Sequence, residues 1–160
     1  MSNAIASLAR TLTLAAALWP AAAALADEVV LPGTRTLPSR HAFDALVARV
    51  EAAVEKNQMG LVAQASASRG AAGRGIKIPG NAVLMVFRND YAVRMLQASV
   101  PAGIEAPLRL YVTENADGTA SLSYRTPSAV FAPYRNAKLD EMAKELDPIF
   151  ERIARDAAGS

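Results

Sequence analysis

Two arginines, Arg109 and Arg125, are placed so that they could do chemistry together. Leu108-Arg109-Leu110-Tyr111-Val112-Thr113 and Thr119 to Tyr124 alternate apolar and polar residues on either side of Asn115-Ala116-Asp117-Gly118, the pattern of a β-hairpin. A type I turn opened by Asn115, with Gly118 in the left-handed position followed by a bulge, sets its register. Val112 then faces Leu122, and Leu110 faces Tyr124, both toward a core; a slip of one residue would set apolar against polar positions. The same register sets Arg109 opposite Arg125 on the outer face, where like charges cost some tenths of a kcal/mol. Two arrangements offset them. The strand ends splay at Pro107 and Pro127 with an acid such as Glu105 close by, or a small anion, a carboxylate or phosphate, lies between the guanidinium groups. Tyr111 and Asn89 join the two arginines as candidate ligand contacts.

Other chemistries find less support. A carboxylate-dependent hydrolase or isomerase would draw on Glu105 or Glu114 with Tyr124, residues that only folding can bring together. There is no cysteine and a single histidine, His41. Thiolate nucleophiles, redox pairs and the usual zinc or copper ligand sets are therefore removed, and neither a metal nor a cofactor is expected. Met59, Met85, Met95 and Met142 are scattered and read as core filler. Arg69-Gly70-Ala71-Ala72-Gly73-Arg74-Gly75-Ile76-Lys77 mixes glycines with bases. It has neither the Walker spacing nor the dinucleotide fingerprint, so it reads as a solvated connection.

The first 26 residues carry a secretory pattern: Arg10 as the one charge, an Ala/Leu-rich run from Thr11 to Ala24, and Ala24-Leu25-Ala26 before Asp27-Glu28. The run is short for a membrane span and holds Pro20. A periplasmic or secreted product, residues 27–160, is expected. Its removal takes one of seventeen Lys and Arg and none of fifteen Asp and Glu, leaving sixteen against fifteen. A surplus of one charge gives no footprint for nucleic acid.

The elements around the arginines follow from pattern. Residues 27–38 are extended, with a short strand around Thr34 to Leu37. Ser39 caps a helix carrying Phe43, Leu46, Val47, Val50 and Val54 at helical spacing, stopped near Gly60, with His41 in its first turn. Leu61 to Ser68 alternates as a second strand, its small alanines close to a helix. Ala82-Val83-Leu84-Met85-Val86-Phe87 reads as a strand buried on both faces. Asn89 or Asp90 caps a helix with Val93, Leu96 and Val100 on one side, closed by Pro101-Ala102-Gly103. Thr126-Pro127 opens a short turn. Leu139, Met142, Leu146, Ile149, Phe150 and Ile153 form one stripe, read as a long helix kinked at Pro148 or as two helices with Asp147 capping the second. The fold class is α+β, a single domain with a mainly antiparallel sheet covered by helices.

Particular stretches resemble a bacterial family catalogued as domain of unknown function 302, whose fold is called TT-1751-like. Val83-Leu84-Met85-Val86-Phe87-Arg88-Asn89-Asp90 is similar to an apolar strand ending in Phe-Gly-Asn-Pro. Ile104-Glu105-Ala106-Pro107-Leu108-Arg109 is similar to Leu-Asp-Leu-Pro-Leu-Lys. Asp117-Gly118 and Tyr124-Arg125-Thr126-Pro127 match its hairpin turn and its Tyr-Asn-Asp-Pro ending. The resemblance runs from about Thr34 to Tyr134. It implies the same α+β architecture and a homodimer, and no reaction. Arg88 and Asp90 stand where the pattern has Gly and Pro, and Ala106 where it has a larger aliphatic residue; a pocket wall shaped by that Gly and Pro would be altered here. The functional expectation is a non-catalytic module that binds a small, anionic ligand or a partner protein. The alternatives are the carboxylate-dependent enzyme and a structural dimerisation protein.

Overall fold

The computed structural model describes residues 30–159; the expected secretory segment, residues 1–26, lies outside them. Five strands form one antiparallel sheet in the order β1-β5-β4-β3-β2. They are β1 (Thr34–Pro38), β2 (Gly60–Ala65), β3 (Asn81–Phe87), β4 (Leu108–Glu114) and β5 (Ala120–Arg125). The helices are α1 (Phe43–Lys56), α2 (Ala67–Ala72), α3 (Asn89–Ala98), α4 (Pro127–Phe131) and α5 (Ala137–Ala158). Short 3-10 segments, Val100–Glu105 and Ala132–Tyr134, follow α3 and α4. The α+β reading of the sequence holds.

The core lies between one face of the sheet and the long helices. Ala82, Leu84, Val86, Leu110, Val112, Ala120 and Leu122 point from the three middle strands into it. Leu46, Val47, Val50 and Val54 of α1 meet them, as the helical spacing predicts. Helix α5 supplies the whole expected stripe, with Leu139, Met142, Phe150 and Ile153 almost without solvent contact. It runs unbroken through Pro148. Asp147 caps nothing in α5; its carboxylate accepts hydrogen bonds from the Ser128 backbone N–H at 2.9 Å and hydroxyl at 2.6 Å, tying α4 to α5.

Several local expectations change. β3 is not buried on both faces: Ala82, Leu84 and Val86 are buried, whereas Val83, Met85 and Phe87 are half-buried on the other side. A continuous apolar run thus serves one buried and one half-buried face. The second strand ends at Ala65. Ser66 then accepts a hydrogen bond from the Arg69 N–H and caps α2, so the glycine-rich stretch begins as helix. β2 is exposed along most of its length, alanines included, and has a bulge between Leu61 and Ala63.

Helix α3 is turned away from the expected orientation. Met95 is its buried residue, while Val93, Leu96 and Val100 are exposed, Val100 by 74%. The N-cap of α3 is Arg88, with no side-chain cap bond, rather than Asn89 or Asp90. Helix α1 starts after Ala42, also without a side-chain cap; Ser39 accepts instead from the His41 N–H at 3.2 Å, and His41 precedes the helix. The chain leaves α1 through Asn57 and left-handed Gln58, and Gly60 already belongs to β2.

Candidate functional site

The hairpin forms in the register its turn residues require. Leu110 pairs with Tyr124 and Val112 with Leu122. Gly118 has a φ of 82°, and its N–H donates to the Asn115 carbonyl at 3.0 Å. One step further along the ladder Arg109 and Arg125 come side by side on the open face. Arg109 is flanked across the other ladder by Met85, and Tyr111 by Val83. On the β1 side, the Thr36 and Ser123 hydroxyls share a hydrogen bond of 2.8 Å.

A pocket of about 300 Å³ opens at this end of the sheet, lined by Arg109, Tyr111, Ser123, Arg125, Glu105 and Leu31 among others. The N-terminal arm forms one bank. Thr126 donates its N–H to the Gly33 carbonyl at 2.9 Å, and Gly33, with a φ of 74°, lies so near α4 that a Cβ there would sit 2.1 Å from that of Ala129. Only glycine serves at that position. The end of the 3-10 segment, with Glu105, forms another bank.

The two arginines have different duties. Arg125 donates through Nη2 to the Ala129 carbonyl at 3.0 Å and through Nε to the Pro32 carbonyl at 3.4 Å. Its guanidinium thereby clamps the arm to α4. Arg109 is exposed and makes no side-chain hydrogen bond or ion pair among the described residues. Tyr111, 42% exposed, stands next to it on the same strand and face. Glu105 accepts a hydrogen bond from the Tyr134 hydroxyl at 3.1 Å. Burial and that bond push the Tyr134 phenol above its ordinary range. The Glu105 carboxylate does not come within ion-pair distance of either arginine. Fixed charge of both signs therefore lines one small cavity without self-neutralising.

The remaining candidates lie elsewhere. Asn89 is exposed at the start of α3 and does not line the pocket. Tyr124 borders it, but its buried ring packs toward Phe150, with centroids 6.2 Å apart, in the helix layer. Burial and, after it, nearby Glu151 push its phenol up. Glu114 accepts from the Gly80 N–H at 2.6 Å, at the far end of the sheet. Leu31, Thr34 and Ser123 are lining residues that the sequence reading did not single out. Nothing in the sequence told where the arm would land.

A cavity of only about 30 Å³ lies beneath α3, where Met59, Met95 and Met142 converge with Phe131 and Tyr91. Its size suits a water molecule rather than a metabolite. Arg88 borders it, lies 4.3 Å from the centroid of the Tyr91 ring, and holds Asp90 by two hydrogen bonds of 2.8 and 3.0 Å. Met85 sits half-buried on the other sheet face, outside the core, so core filler describes Met59, Met95 and Met142 but not Met85. Among the described residues there is no group of three or more His, Cys, Asp or Glu able to hold a metal ion. None of the described helices is long and apolar enough to cross a membrane.

The family profile described as "Domain of unknown function DUF302" matches residues 35–157. The chain belongs to the DUF302 family. The crystal structure of an uncharacterised conserved DUF302 protein from Bacillus stearothermophilus superposes with a TM-score of 0.71 at 17% identity, covering 79% of this chain and 98% of that one. At that identity the likeness speaks for the shared fold alone. No curated protein matches the chain. Within this DUF302 domain the residues that stand in place of the resembling Gly and Pro, Arg88 and Asp90, are paired with each other, with Asn89 between them.

Proposed function

We propose that this DUF302 protein is an exported, non-catalytic module that binds a small organic anion on the open face of its sheet, with Arg109 as the anchoring cation. One observation carries the reading: Arg109 lines a pocket of about 300 Å³ while it has no partner among the described residues. Neighbouring Arg125 already commits two of its donors to carbonyls. A guanidinium offers a planar fork matched to a carboxylate. The volume is at the lower end of ligand pockets, which suits a metabolite-sized molecule. Tyr111 adds an aromatic surface beside the fork. Support for binding over catalysis comes from the other candidates, since Glu114 is tied to Gly80 and the Tyr124 ring is packed in the helix layer. Export to the periplasm or the medium rests on residues 1–26 of the sequence.

Native mass spectrometry of the gently purified protein, compared with its denatured mass, tests the reading. Non-covalent extra mass that disappears in Arg109→Ala is the expected result. A bare subunit mass, together with unchanged thermal stability across a panel of organic acids, would discard it.

A second reading, association of two copies, is favoured by the ridge of Val93, Leu96, Val100 and Ile104, exposed by 45%, 46%, 74% and 84%. Such a ridge is a common mark of an interaction surface. Light scattering coupled to gel filtration checks it; a homodimer that becomes monomeric in Val100→Ser/Ile104→Ser is the outcome in its favour, and a monomeric parent protein is the outcome against it.

A further inference from the structure

We infer that the pocket's ligand is a zwitterion, an amino acid or closely related amino-carboxylate with an apolar side chain; this rests on the binding reading above. Glu105 and Arg109 line the same cavity, carry opposite charges, and form no ion pair with each other. Free to meet, two such groups on flexible side chains would form a surface pair of little worth. Here Glu105 is held back, with one carboxylate oxygen accepting from the Tyr134 hydroxyl at 3.1 Å. Its second oxygen makes no hydrogen bond within the described residues. Arg109 projects from the outer face of β4, on the strand that follows the 3-10 segment ending in Glu105.

A molecule bridging the two must offer an acceptor pair to the guanidinium and a donor cation to the carboxylate. An α-amino acid does both across its own backbone. A phosphate or a dicarboxylate would meet the repulsion of Glu105, and a simple amine would meet that of Arg109 and Arg125. The rest of the lining selects the body of the ligand: Leu31, Leu108, Val130 and Tyr111 supply apolar and aromatic surface. Burial of an aliphatic or aromatic side chain there adds affinity in proportion to the area covered. The cavity of about 300 Å³ leaves room for one such molecule and not for a peptide.

The test is calorimetric titration of the purified protein with L-leucine and L-phenylalanine, and with their des-amino counterparts 4-methylpentanoate and 3-phenylpropanoate. The expected result is that an amino acid binds about tenfold or more tightly than its des-amino counterpart, the difference a charge-assisted hydrogen bond makes. In Glu105→Gln that preference narrows to less than about threefold while the carboxylates bind as before. Circular dichroism confirms that the conservative variant is folded. Carboxylates that bind as well as the amino acids, with binding lost in Arg109→Ala, would overturn the zwitterion inference and leave the anion-binding reading intact. No heat and no stabilisation with any of the four probes would overturn both.

Discussion

Arg88 and Asp90 hold each other across Asn89 through two hydrogen bonds, Nε to Oδ1 at 2.8 Å and Nη2 to Oδ2 at 3.0 Å. The same guanidinium lies 4.3 Å from the centroid of the Tyr91 ring. The two positions that depart from the resembling Gly and Pro thus act as one unit at the start of α3. The expected outcome is non-additivity. In a double-mutant cycle with Arg88→Gly and Asp90→Pro, followed by urea unfolding, the pair should show a coupling of about 0.2–1 kcal/mol, since both side chains are partly solvated. Additive effects would mean that the two substitutions are independent.

Arg125 and Arg109 should separate stability from binding. Arg125→Ala removes two hydrogen bonds to the carbonyls of Pro32 and Ala129. A loss of about 1–2 kcal/mol is expected, because a charged donor is involved at a partly exposed site. Arg109→Ala touches no bonded partner and should stay within about 0.5 kcal/mol of the parent. Chemical denaturation of both variants decides between this division and an equal role.

Arg49 ties α1 to the end of α5, donating through Nε to the Ala157 carbonyl at 2.6 Å and through Nη2 to the Asp156 carbonyl at 2.9 Å. These are carbonyls that the helix itself leaves unpaired, and the positive charge meets the negative end of its dipole. Arg49→Ala is expected to cost about 1–2 kcal/mol, and Arg49→Lys to recover only part, since an ammonium cannot span both carbonyls. Hydrogen exchange should show the last turn of α5 losing protection first.

Gly33 and Gly118 are both left-handed, with φ of 74° and 82°, but they differ in surroundings. A Cβ at Gly118 would meet open space, whereas one at Gly33 would collide with Ala129 at 2.1 Å. Gly118→Ala should therefore cost about 1 kcal/mol from backbone strain alone. Gly33→Ala should cost more, and should also loosen the arm that bounds the pocket, read as increased proteolysis before Thr34. Equal melting temperatures for the two variants would contradict the close packing of arm and α4.

Surface carboxylates, Asp90, Glu145 and Asp156 among them, should make stability depend on acid. Hydrogen bonds from Arg88 hold Asp90 below the ordinary carboxylate range, those from Arg94 do so for Glu145, and those from Lys56 and then Asn57 for Asp156. A folded-state pKa below the unfolded one means that stability is present above the unfolded values, 3.8 for Asp and 4.5 for Glu, and is lost as pH falls through the folded values. Unfolding midpoints measured from about pH 6 to about pH 2.5 should fall over this window. Glu145→Gln should flatten the fall, and 1 M NaCl should shrink it because the groups are exposed.

How much was legible in the sequence depended on how local the deciding interaction was. The hairpin register was legible because Asn115, Gly118 and the alternation on both sides are local, and they agree. The Leu139 to Ile153 stripe and the Thr126-Pro127 start of α4 were legible for the same reason. Where two local signals competed, the sequence misled. Ser39 caps by type, but its hydroxyl went to the His41 N–H. Val93, Leu96 and Val100 share a helical face, yet that face points to solvent and Met95 points inward. An apolar stripe states that one face is distinctive, not which surface it will meet.

The sequence by itself determined the α+β class, the strand-facing pairs Leu110–Tyr124 and Val112–Leu122, and the adjacency of Arg109 with Arg125. Side-chain alternation and turn stereochemistry act over a few residues and leave little freedom. Only the tertiary structure decided that one face of β3 stays half-buried, and that Arg125 is spent on carbonyls of the arm and α4 while Arg109 is not. It also brought Glu105 and Leu31 to the same pocket and left Asn89 outside it. Those outcomes depend on where segments distant in sequence come to rest, which is set by the packing of the whole core and by no single stretch of chain.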